Sequence, residues 1–171
     1  MIFPELVAAR KEIVSFPGWQ EPEPETGGVW FMAPLAIAGV IQEAFYLHGL
    51  CLKYVPDRNV SFEIKVHTVK SKIALARYEW RSLREGHTNS RRQGSPVSGQ
   101  RVTPTHYHSF DLNWLEAKGR LRSGNLPQAE SVEREPERFE SLRDEVGKLF
   151  RINNMNVVLP PPWEYNMFEN G

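Results

Sequence analysis

The feature that most constrains the fold is a run of eight residues, Val60 to His67 (VSFEIKVH), in which apolar and polar side chains alternate without a break. Successive strand residues point to opposite faces, so this pattern makes a strand with one apolar and one polar side. After a VKSK turn, residues 73–83 (IALARYEWRSL) repeat the theme. Arg77, Glu79 and Arg81 fall on one side, Tyr78 and Trp80 on the other. Two such strands around a short turn predict an antiparallel pair. Their apolar face needs a cover. The stretch from Pro136 to Phe150 supplies one, with Phe139, Leu142, Val146 and Leu149 on one helical stripe and Pro136 suited to the first turn. The expected class is α+β: an antiparallel sheet with a short N-terminal helix and a C-terminal amphipathic helix, then an extended Pro-rich tail.

The rest of the chain fits around that frame. Residues 5–16 (ELVAARKEIVSF) carry Leu6, Ile13 and Val14 at helix-compatible spacing. Residues 17–28 (PGWQEPEPETGG) read as an acidic loop. Residues 29–54 fit either a buried helix or strands; alternation at Leu35/Ile37 and Phe45/Leu47 favours strands, with Gly39 and Gly49 at bends. VPDRN, residues 55–59, is a turn. Residues 84–104 form a polar loop of a length that is usually functional or disordered. GNLPQAE, residues 124–130, is irregular, and the tail at 156–171 is extended, packing back or docking into a groove of a partner. With no repeat and 171 residues, a single domain over 1–171 is expected.

Composition removes several functions. Lys plus Arg and Asp plus Glu number 21 each, so no global field draws in nucleic acid, and any such contact needs a local basic patch. The lone Cys51 can form neither an internal disulfide nor a thiolate metal cluster, and its apolar neighbours suggest packing. The longest apolar run, VWFMAPLAIAGVI, falls short of the ~20 residues of a membrane span, and the first residues lack a signal-peptide pattern. A cytoplasmic protein without membrane contact is expected. No Gly-rich phosphate loop, Cys-x-x-Cys or serine elbow is present.

Chemistry concentrates in THYHSFDLNW, residues 105–114. Taken as one strand, it puts His106, His108, Phe110, Leu112 and Trp114 on one face. Two imidazoles then sit on an apolar side, where each must find a partner. Three readings follow. The histidines shape the core through hydrogen bonds. Or they hold a divalent metal, with His87 of the polar loop as a third ligand. Or they act as acid and base on RNA, with His106, His108 and His87 catalytic, Asn89 orienting substrate, and Arg81, Arg91 and Arg92 gripping phosphate. His48 and His67 look structural or merely exposed.

The segments RYEWRSLREGHTN, THYHSFDLNW, GNLP, VGKLFRINN and PPPWEYNMF resemble a set shared by small uncharacterised bacterial proteins, a likeness that implies no activity. Residues 73–108 are similar in order to TumE-type toxins of toxin–antitoxin pairs. That resemblance implies that His87, Asn89, His106 and His108 match the toxin pattern. It also implies RNA as a partner and an antitoxin docking at the 84–104 loop or the Pro-rich tail. The leading expectation is therefore a ribonuclease-like toxin without a cofactor. The alternatives are a non-enzymatic binding or regulatory module and a metal-dependent hydrolase using His87, His106 and His108.

Overall fold

The computed structural model describes residues 2–21, 27–84 and 87–165. The heart of the acidic loop (22–26), residues 85–86 and the end of the tail (166–171) lie outside the described residues. Helix α1 (Phe3–Ala8) is followed by strands β1 (Glu12–Ile13), β2 (Gly28–Ile37), β3 (Val40–Leu52), β4 (Val60–His67) and β5 (Lys72–Trp80). Two-residue strands β6 (His87–Thr88) and β7 (Arg101–Val102) precede β8 (His106–His108) and the single-turn helix α2 (Phe110–Asn113). A small ribbon, β9 (Trp114–Leu115) and β10 (Arg120–Leu121), leads to β11 (Glu130–Ser131) and helix α3 (Phe139–Phe150). Seven strands form one antiparallel sheet in the order β1-β2-β3-β4-β5-β8-β11. This is the expected α+β architecture.

Residues 29–54 are strands. Ile37 pairs with Val40 across the two-residue turn Ala38-Gly39, whose φ values of +50° and +76° match the twist of a tight hairpin. Gly39 is at a bend as expected; Gly49 is not. It lies inside β3 opposite Phe31, and an added Cβ would stand 2.2 Å from the Phe31 ring, so the glycine makes room for an aromatic. The core lines one face of the sheet: Phe31, Leu47, Phe62, Ile64, Tyr78 and Trp80 pack with Phe139, Leu142, Val146 and Phe150 of α3. Burial of this set supplies most of the folding drive. Phe150 takes the core position expected of Leu149, which remains 37% exposed.

The opening helix stops at Ala8, short of the expected Phe16, because Glu12 and Ile13 pair with Ala36 and Leu35 at the sheet edge. Between them Lys11 is fully buried. Its Nζ donates to the carbonyls of Val7 (2.8 Å), Ala9 (2.7 Å) and Phe150 (3.0 Å), which ties the end of α1 to the end of α3. The Pro-rich tail folds back on the chain. Trp163 packs edge-on against Phe139 at 5.9 Å, Glu164 pairs with Lys53 at 2.8 Å, and the Tyr165 hydroxyl donates to Asp57 at 3.1 Å. Among the described residues no helix is long and apolar enough to cross a membrane.

Candidate functional site

Sheet register assembles the site. Glu63 pairs with Arg77, Arg77 with His108, and Glu79 with His106. Pleating therefore sends these side chains to the face opposite the core, while Tyr107 between the histidines joins Tyr78 and Phe150. The strand expected to reach Trp114 ends at His108. The Ser109 hydroxyl accepts the N–H of Leu112 and starts α2, turning Phe110 into the core. His106 and His108 thus share a face with Arg77 and Glu79, and not with Phe110, Leu112 and Trp114.

The 84–104 loop is in large part a hairpin. His87 pairs with Val102 and Thr88 with Arg101, which sets His87 over the other two rings. The His87 and His106 rings stack at 6.0 Å, His87 meets His108 edge-on at 5.3 Å, and His106 meets His108 at 4.9 Å. The GNLPQAE segment closes over them. Its consecutive carbonyls at Asn125, Leu126 and Pro127 accept, in turn, Arg77 Nη2 (3.3 Å), His108 Nδ1 (2.7 Å) and His87 Nε2 (3.0 Å). Two buried asparagines clamp the next two residues. Asn89 accepts the N–H of Ala129 and donates to its carbonyl, and Asn113 does the same for Gln128.

Hydrogen bonding fixes the imidazole tautomers. Nδ1–H of His106 donates to the Thr103 carbonyl at 2.9 Å and Nδ1–H of His108 to Leu126, so each Nε2 carries a lone pair. Both rings are almost fully buried, and burial holds both below the usual imidazole range, His108 further assisted by the Arg77 charge. They are neutral at physiological pH. Their lone pairs face charged neighbours: His106 Nε2 stands 3.8 Å from Glu79 Oε2, and Arg77 Nη2 lies 3.5 Å from His108 Nε2. Arg77 also bridges Glu63 (3.3 Å) and Glu79 (3.1 Å), and Lys65 closes on Glu63. Glu63, Arg77, Glu79 and Arg84 are among the residues that line a cleft, and none of the three histidines lines it.

The remaining expected residues divide. Asn89 is 1% exposed with its amide committed to the clamp and to the Val97 carbonyl. Arg81 sits just past β5 at φ +48°; it pairs with Glu135 at 2.9 Å and reaches the carbonyls of Asp57, Pro136 and Glu137. Trp80 donates to the same Pro136 carbonyl, so Arg81 lies towards the helix-covered side. Arg91 and Arg92 are exposed in a short 3-10 turn of the hairpin. Glu63 and Glu79 are the members that sequence reasoning missed; Arg77 counted there, with Arg81, among the cations of the preceding strand. The signal was present, because Arg77 and Glu79 occupy the polar face of their strand.

Donor atoms of Glu79, His106 and His108 all lie within 4.8 Å of one another, the one such His/Cys/Asp/Glu group among the described residues. Glu79 stands where His87 was the expected third ligand, since His87 Nε2 is turned to Pro127. The fold and site together define an antiparallel-sheet protein with a buried histidine–carboxylate–arginine centre on its polar face. Comparison with protein-family models, curated proteins and solved structures returned no match.

Proposed function

We propose that this chain cleaves RNA phosphodiester bonds at the imidazole centre, as a small toxin-like ribonuclease of the cytoplasm. The supporting observation is the convergence of His87 of β6 with His106 and His108 of β8 beside a guanidinium and a carboxylate. Cleavage through the 2′-hydroxyl needs one group to accept its proton and another to protonate the leaving oxygen. The Nε2 lone pair of His106, beside Glu79, takes the acceptor role, while that of His108 faces Arg77. His87, the most exposed of the three rings, takes the donor role. Arg77 meets the phosphorane-like charge, and Arg84, Arg91 and Arg92 supply backbone attraction at the rim. An antitoxin-like partner would meet the exposed hairpin, since the described part of the tail is packed on its own domain.

The test is cleavage of labelled RNA by the purified protein beside a His106→Asn/His108→Asn variant. Asparagine keeps a donor for the Thr103 and Leu126 carbonyls and removes Nε2. The expected result is a folded variant with activity reduced ~100-fold or more. A folded wild type that cleaves no RNA overturns the reading. One observation favours a second reading, a binding module with structural histidines: a ring nitrogen of each histidine is tied to a backbone carbonyl. Under it the double variant loses thermal stability and the wild type has no cleavage to lose.

A further inference from the structure

We infer that Glu79, His106 and His108 form a binding site for a first-row divalent cation, zinc foremost. Two imidazoles and one carboxylate are a donor set that suits zinc and its neighbours, and not the all-oxygen preference of calcium or magnesium. Three independent observations converge on it. First, β5 and β8 place Glu79 directly opposite His106, with His108 two residues along the same face and opposite Arg77, so sheet register and not chance proximity holds them together. Second, both histidines have the arrangement of metal ligands: Nδ1–H is anchored to a backbone carbonyl, which fixes ring orientation and leaves the Nε2 lone pair for the cation. Third, the spacing is near what coordination requires. Donors of a tetrahedral zinc centre stand about 3.3 Å apart; His106 Nε2 and Glu79 Oε2 are at 3.8 Å, and all three donors fall within 4.8 Å.

Arg77 gives the site its particular character. Its Nη2 lies 3.5 Å from His108 Nε2, a long hydrogen bond aimed at the lone pair the cation needs. Cation and guanidinium therefore compete for His108. Arg77 has other anchors, Glu63 and the Asn125 carbonyl, so it can release His108 without leaving the cluster. Glu79 and Arg77 also line a cleft, which brings the carboxylate member of the donor set to a concave surface that neither histidine lines. A cation on both Nε2 atoms takes the lone pairs that the reading above gives to proton acceptance, so in a loaded site a metal-bound water would have to accept that proton; this role in RNA cleavage rests on the reading above, and the binding of the cation does not.

The experiment is calorimetric titration of the chelator-treated protein with Zn2+, with Co2+ absorption as a coordination readout and histidine side-chain NMR to locate the ion. Wild type should bind one ion per chain and shift the Nε2 signals of exactly two buried histidines. His106→Asn/His108→Asn should abolish binding, Glu79→Gln should weaken it roughly tenfold or more, and Arg77→Met should tighten it. Absence of binding to wild type overturns the site, as does binding that leaves the His106 and His108 signals unmoved. The NMR arm decides even if a variant misfolds. Cation binding without RNA cleavage sinks only the ribonuclease reading. Cleavage indifferent to chelator, with no ion bound, sinks only the metal site.

Discussion

Asn89 shows how a residue of the right type at an expected position can serve a different end. Its resemblance to a substrate-orienting residue rests on chain order, whereas its amide is spent on both backbone groups of Ala129. A carboxamide suits that place because it presents one acceptor and two donors in a plane, the complement of a peptide group. Asn89→Asp would replace donors by a charge facing the carbonyls of Val97 and Ala129. The expected cost is about 3 kcal/mol or more in urea unfolding. Unchanged stability with weakened RNA binding would return Asn89 to the substrate. Nothing in the sequence distinguishes the two roles, because the partner of Asn89 lies 40 positions away.

At the level of elements, legibility needed both length and an unbroken period: β2 and β3 run for 10 and 13 residues, yet mixed apolar runs left them open between helix and strands. β4, β5 and α3 run for 8, 9 and 12 residues, long enough for a period to show, and the sequence located all three. The strands that build the site run for two or three residues, too short for any period, so the hairpin around His87 was hidden inside a polar stretch. The expected strand past His108 failed for a local reason, the capping hydroxyl of Ser109. The tail offers a test of element packing. Trp163 sits beside the Cys51 thiol, and burial pushes that thiol up to about 12, so it stays protonated and shielded. Native protein should resist thiol reagents at neutral pH. Trp163→Ala should speed Cys51 labelling roughly tenfold or more by loosening the tail over β3. Equal labelling of the two proteins would mean that the tail does not guard that side of the sheet.

For the whole molecule, Lys11 joins the opening helix to the long C-terminal one. Lys11→Met would leave three helix-end carbonyls without their donor, with an expected loss of about 2–4 kcal/mol in denaturant unfolding. A loss below about 0.5 kcal/mol would show water replacing the ammonium. The layered plan, one apolar sheet face under a helix and one polar face away from it, was legible from alternation, whereas alternation over residues 105–114 put the histidines on the apolar side. The centre was not legible, because its members come from four strands, β4, β5, β6 and β8, whose placement side by side only the structure reveals. One consequence follows from the three consecutive carbonyls at 125–127. They hold Arg77, His108 and His87 through main-chain atoms, so these three bonds depend on spacing and not on which side chains stand there. Natural variants of this chain should accumulate replacements at exposed Glu130 and, within its left-handed backbone, at Asn125, while Leu126, Gln128 and Ala129 stay constrained by burial. An insertion or deletion of one residue there would slide all three acceptors at once, and such length changes should be purged.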